Sequence, residues 1–356
     1  MIRKRVGIFE VLAGVAALSV ATVAQAGTVI VDDSFADGTR TADGPLQADF
    51  FSTTSSGGNS IEVTTGSLGL VSGTSGRGIR AVFPEQTLAP GEVITATYSF
   101  TTPASVGSGS TSFRAALFDS TVSPVFVLPD PEPASPTGAD LITVTDQDPA
   151  DLSQDLSTSS GTPNPLYQAI NGYSADYDVG LAPGDSNIAI RERQDFDFSI
   201  PPAFIDTDDV LAFGRLLETF GGGIFDTLGT GGDEYSFDQA LTDFVGTISV
   251  AHTLDGELEI TSSLVGGTVD TSFTVTDDSP STFSFSQLAF HAGSGEFGVS
   301  NDPNEDAAGD EVFGLANDNG IEFTNIRIEV SAIPEPSSLM LVFAAVTPLI
   351  RRKRRS

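Results

Sequence analysis

The sequence predicts an all-β sandwich of two antiparallel sheets, and three observations carry that prediction. Stretches with period-two alternation recur at short spacing through residues 27–333. Turn residues separate them, drawn from the chain's 37 glycines and 20 prolines. Segments with a helical period are few. About 300 residues is long enough to bury one large core, and the absence of cysteine removes disulfides and thiol chemistry alike.

The chain opens on an element outside that fold. Arg3-Lys4-Arg5 is followed by a mostly apolar run, 6–23, broken by Glu10. Ala24 and Ala26 flank Gln25 in a small-x-small cleavage site, so residues 1–26 read as a secretory signal peptide removed after Ala26.

Strands follow. Residues 28–32, 60–65 and 67–72 give short ones; 79–83, 92–100 and 112–119 give stronger ones, rich in β-branched and aromatic side chains. An exposed, Pro-rich acidic insertion is expected near 129–165. The second half supplies 187–193, 245–254, 256–264, 268–276, 282–291 and 321–330. Asp255-Gly256 sits between two alternating runs, the strongest hairpin signal in the chain. Alternation slips at Asn325, as a bulge would make it. Residues 166–170 and 238–244 could form a turn or two of helix, and 208–220 carries an apolar helical face weakened by Gly214.

The chain closes on Pro334-Glu335-Pro336, a twelve-residue apolar run at 339–350, and Arg351, Arg352, Lys353, Arg354 and Arg355. The run is shorter than the roughly twenty residues that span a bilayer comfortably. The basic cluster stays cytoplasmic and would stop export with the tail threaded in the membrane. The two prolines keep Glu335 in an extended segment that a processing enzyme can grip. This arrangement resembles the PEP-CTERM sorting signal of Gram-negative bacteria, which has the same three parts in the same order. The resemblance implies recognition by an exosortase-type transpeptidase and removal of residues 334–356. It also implies transient anchoring in the inner membrane, then residence at the cell surface or in the matrix, with extracellular polysaccharide or biofilm.

Removing the leader (three basic residues, one acidic) and the tail (five basic, one acidic) leaves 46 acidic residues against eight basic ones. All eight are arginines: Arg40, Arg77, Arg80, Arg114, Arg191, Arg193, Arg215 and Arg327. A body so acidic repels nucleic acid and anionic membranes, which leaves the tail as the membrane contact.

Little in the body reads as chemistry. Glu257 and Glu259 have the same-face spacing of a glycosidase pair, but solvent-facing carboxylates on a hairpin explain them as well. His252 and His291 lie in alternating strands, and no Gly-x-Ser-x-Gly elbow accompanies them. Asp302, Asn304, Asp306 and Asp310 alternate oxygen ligands in the manner of a calcium loop, although Ala307 and Phe313 break the EF-hand pattern and leave a plain acidic loop as the alternative. Tyr167, Tyr173 and Tyr177, near Asn164 and Asn171, are candidate glycan contacts or else strand-flank packing.

The body also resembles exported bacterial relatives of concanavalin A-like lectin/glucanase domains. The residues concerned are 33–40, 75–79, 113–119 (Phe113-Arg114-Ala115-Ala116-Leu117-Phe118-Asp119) and 320–330. The resemblance implies a jelly-roll sandwich whose terminal strands, 28–32 and 326–330, lie side by side in one sheet, and whose concave face binds glycans. The expectation is therefore a non-enzymatic exported protein associated with polysaccharide. A carbohydrate-binding module and a divergent glycoside hydrolase are the alternatives.

Overall fold

The computed structural model describes residues 27–54, 61–71, 77–104, 106, 112–120, 156–157, 170–179, 187–193, 225–235, 239–293, 297 and 320–333. Contacts divide the chain into two units. One, Thr28–Ser331, is the fold described below; the other comprises the ends, Met1–Gly27 and Ala332–Ser356, almost wholly outside the described residues. The signal cleavage residues Ala24 and Ala26, the sorting motif Pro334–Glu335–Pro336 and the basic cluster lie there.

The strands in chain order are β1 (Thr28–Asp33), β2 (Asp49–Thr54), β3 (Ile61–Thr64), β4 (Ser67–Val71), β5 (Arg77–Thr87), β6 (Glu92–Thr101), β7 (Ser112–Ser120) and β8 (Leu156–Ser157). They continue with β9 (Ile170–Asp178), β10 (Ile188–Arg193), β11 (Phe225–Gly231), β12 (Asp243–His252), β13 (Leu258–Gly266), β14 (Val269–Asp277), β15 (Ser284–Ala292) and β16 (Gly320–Ala332). No described residue is helical. One sheet, here sheet A, runs β14-β13-β12-β6-β16-β4-β3, with β1 also paired to β16; the other, sheet B, runs β11-β10-β9-β7-β15-β5-β2-β8. The pairings whose registers are described are antiparallel apart from the two-residue β2–β8 contact.

The expected terminal pair is present: Thr28 opposes Val330 and Asp33 opposes Ile326. The slip at Asn325 is also present. Ile321 and Phe323 are buried, the parity then changes, and Ile326 and Ile328 are buried. There β16 exchanges β4 for β1 as a partner, and a change of parity keeps both halves facing one core. The Asp255-Gly256 turn joins β12 to β13, with Gly256 at φ 90° and the amide of Thr253 donating to the carbonyl of Glu257 at 2.9 Å.

Four strands were not foreseen. In β9, Asn171, Gly172 and Asp176 disfavour a strand intrinsically, yet its residues from Ile170 to Tyr177 are buried, so tertiary burial on both faces decides its conformation. The helical turn expected at 166–170 fails at Ile170, which opens β9; 166–169 lie outside the described residues. The turn expected at 238–244 gives way to β12 from Asp243, because Phe244, Gly246 and Ile248 face inward in register with β6. β2 and the Gly-rich β11 are the other two of any length, and β8 falls inside the expected insertion. The expected helical face at 208–220 lies outside the described residues.

The core lies between the sheets and is aromatic. Tyr98 packs edge-on to Phe290 with centroids 4.9 Å apart, Phe290 lies 4.4 Å from Phe323, and Phe100 stacks on Phe244 at 5.5 Å. Gly246 makes room for the Tyr98 ring: a Cβ there would stand 2.1 Å from Tyr98 Cε2. The hydroxyls of Tyr98, Tyr173 and Tyr177 find partners within the fold. Tyr98 and Tyr177 share a hydrogen bond of 3.0 Å between the sheets, and Tyr177 also bonds the Ser262 hydroxyl. On the solvent face of sheet A, two rows of small hydroxyl residues cross four strands, Thr97–Thr247–Ser263–Ser272 and Thr95–Ser249–Thr261–Thr274. Cross-strand bonds of 2.7 Å (Thr247–Ser263) and 2.8 Å (Thr261–Thr274) tie neighbours within them.

Candidate functional site: the outer face of sheet B

Side chains alternate across a strand. In sheet B the inward set, Tyr173, Ala175 and Tyr177 of β9 with Phe113, Ala115 and Leu117 of β7, belongs to the core. The intervening residues therefore form the outer face, and the registers align them in three rows. One reads Gly78, His291, Arg114, Asp176, Ala189. The next reads Phe51, Arg80, Ala289, Ala116, Ser174, Arg191, Thr227. The third reads Val82, Gln287, Phe118, Gly172, Arg193, Phe225. Four of the eight arginines of residues 27–333 thus meet on one face of a strongly acidic chain.

Their geometry is specific. Asp176 Oδ2 lies 2.9 Å from Arg191 Nε and 3.3 Å from Arg114 Nε, so one carboxylate is held between guanidiniums from the strands on either side of β9. Arg80 Nη1 donates to Gln287 Oε1 at 3.4 Å. Aromatic rings carry two guanidiniums: Arg80 lies 5.2 Å from the Phe51 ring centroid and Arg193 5.9 Å from that of Phe225. Ala116, Phe118, Ile170 and Ala289 form a second, buried apolar cluster between them. The site is deep at its centre and opens toward β10 and β11: Asp176 is 4 % exposed, whereas the Arg191 side chain is 29 % exposed and Thr227 beyond it is exposed. Burial raises the Asp178 carboxyl above its ordinary range, and the Asp176 charge adds to this against the pull of Arg191 and Arg114.

The candidate glycan tyrosines do not belong to this face. Tyr173 and Tyr177 point into the core and are fully buried, because their parity along β9 sets them between the sheets, so neither offers a ring to a sugar. Tyr173 instead donates to Asp277 Oδ2 at 2.7 Å. That contact belongs to a set of buried carboxylates that hold the turn after β14: Asp277 Oδ1 accepts from the Ser279 amide at 3.0 Å, Glu192 from the Ser281 amide at 3.0 Å, and Asp119 from the Thr282 hydroxyl at 2.9 Å. Tyr167 and the oxygen-rich set Asp302, Asn304, Asp306 and Asp310 lie outside the described residues. Among the described residues no group of three His, Asp or Glu is placed to hold a metal ion.

Glu257 ends the turn before β13, and Glu259 is exposed on sheet A opposite Ala251 and Thr276, on the other sheet from the arginine face. His252 packs 4.3 Å from the Phe283 ring, its Nδ1 2.9 Å from the Leu88 carbonyl. His291 is buried within the arginine face. Sequence reasoning did not assemble this face. Its signal lay in the scarcity of arginine combined with parity: Arg191 and Arg193 fall two apart on one strand, and Arg114 interrupts an apolar one.

No protein-family model matches the chain, and no curated protein does. Solved structures with a similar trace are carbohydrate-recognition and lectin domains. The lumenal domain of VIP36, solved with calcium and a mannose disaccharide (Man2), is 9 % identical with a TM-score of 0.41, over 87 % of this chain and 90 % of that one. The metal-free Emp46p carbohydrate recognition domain is 9 % identical at 0.39, over 83 % and 94 %. Lectin UEA-II with galactose is 12 % identical at 0.38, over 85 % and 100 %. At these scores the likeness carries no functional weight; the sandwich rests on the strand registers above.

Proposed function

We propose that the chain is an exported, non-enzymatic, polysaccharide-associated protein whose sandwich engages a glycan on the outer face of sheet B. The observation that carries this reading is the β10–β11 end of that face, where the partly exposed Arg191 guanidinium is braced by the buried Asp176 carboxylate and stands opposite the exposed Thr227. Such groups, fixed on strands, give hydrogen bonds to a sugar at little further ordering cost. The leader and the proline-flanked tail supply the route: export, brief anchoring in the inner membrane, cleavage by an exosortase-type enzyme, and release to the cell surface or matrix.

Two measurements test this. Mass spectrometry of the protein recovered from its host should show a chain beginning near Gly27 and ending near Pro334-Glu335-Pro336; a mature chain retaining Arg351–Arg355 would defeat the sorting reading. Retention on a panel of immobilised polysaccharides, with and without calcium, should show binding that is lost when the Arg191 end of the face is altered. Retention on none of them would defeat the glycan reading.

A further inference from the structure

Resting on the glycan reading above, we infer that the ligand is an acidic polysaccharide, one whose sugars bear carboxylates, taken at the Arg191–Arg114–Asp176 end of the face. A chain with 46 acidic residues against eight basic ones in residues 27–333 repels polyanions at long range. A neutral glycan would ask for no correction of that field. Yet half of those arginines are gathered on this one face, while acidic side chains hold other parts of the fold: Asp277, Glu192 and Asp119 pin a turn, and Asp32 and Glu329 flank Arg327 on sheet A.

The face already displays a carboxylate in place. Asp176 Oδ2 sits within 2.9 Å and 3.3 Å of two Nε atoms from opposite sides, which is how planar guanidiniums grip a carboxylate. Arg191 meets Asp176 through Nε alone in that pairing, so its Nη edge remains as the second side of the fork on the most open side chain of the cluster. A uronate ring laid against the exposed Thr227 and the half-buried Ala189 thus finds the open edge of the Arg191 guanidinium for its carboxylate.

The test uses the full exported protein, polygalacturonate, and the same polymer after reduction of its carboxyl groups to alcohols. Salt near 0.15 M shortens the Debye length to roughly 8 Å and so removes most of the body's long-range repulsion. Binding should favour polygalacturonate over its reduced form by about tenfold or more, the worth of one charge-assisted contact. Arg191→Gln should abolish that preference and Arg191→Lys should keep part of it, since charge survives without the fork. Thr227→Glu, an exposed change facing Arg191, should weaken polygalacturonate alone, and it decides the matter should Arg191→Gln unfold. Equal binding of the two polymers, or an unchanged preference in Arg191→Gln or Thr227→Glu, overturns the acidic-ligand inference and leaves the glycan reading standing. Retention of neither polymer, nor of any neutral glycan, removes both.

Discussion

Alkali should unfold this protein through its tyrosines. Four of the chain's five tyrosines, Tyr98, Tyr173, Tyr177 and Tyr235, are buried. Burial is the main cause that raises each phenol in the folded state. The neighbouring Tyr177 adds to it at Tyr98, the Asp277 hydrogen bond at Tyr173, and the Asp178 charge at Tyr235. Tyr177 is pushed up to about 12, with its bonds to Ser262 and Tyr98 pulling the other way. An unfolded tyrosine ionises near pH 10. Because the folded value exceeds the unfolded one, stability is complete below about pH 10 and falls as the unfolded chain releases protons that the native chain keeps. Each such tyrosine removes about 1.4 kcal/mol per pH unit, and the four together about 5.5. A domain whose whole stability is on the order of 5–15 kcal/mol should therefore unfold between about pH 11 and 13.

The background is unusually clean. Both lysines, Lys4 and Lys353, belong to the two ends, there is no cysteine, and the remaining cations are arginines. The assay is denaturant unfolding from pH 8 upward, followed in parallel by phenolate absorbance, which no tryptophan obscures. The phenolate signal of the four buried tyrosines should rise late and together with loss of strand signal. Tyr173→Phe should lose about 1.5–3 kcal/mol at neutral pH, since Asp277 loses its 2.7 Å donor, yet show an alkaline slope shallower by about a quarter. Native protein whose tyrosines titrate near pH 10 with no loss of structure would refute the burial argument.

Two further outcomes follow from backbone geometry. Gly246→Ala drives a methyl to 2.1 Å from Tyr98 Cε2 and 2.6 Å from its hydroxyl, so thermal unfolding should show a loss of about 1–3 kcal/mol and near-ultraviolet dichroism a disturbed tyrosine. Gly256→Ala meets no neighbour within 4 Å but must hold φ at 90°, so it should cost only about 1 kcal/mol in the same melt, with the β12–β13 register intact.

Much of the fold was legible because most strands write their burial locally. In β6, Ile94, Ala96, Tyr98 and Phe100 go inward and threonines and serine outward, a pattern that needs no partner to be read. The hairpin at Asp255-Gly256 and the parity change at Asn325 are equally local. β9 was not legible, because its outward residues Ser174 and Asp176 are polar yet buried, and a strand polar on a buried face looks like a loop with scattered tyrosines. The same blindness hid the site: Tyr173 and Tyr177 drew notice as aromatics, while Asp176 between them gave no sign that Arg114 and Arg191 would meet it.

By itself, then, the sequence determined the class of fold, the hairpin, the acidity of the body and the expectation of an address at each end, since these depend on period, composition and short motifs; the pairing of the terminal strands was implied by the family resemblance. Only the tertiary structure decided which strands neighbour β9. That order brings Arg114, 62 positions upstream of Asp176, and Arg191, 15 downstream, onto one carboxylate. Strand order and register are set by the packing of whole sheets against one another, and no local period in a single chain records them.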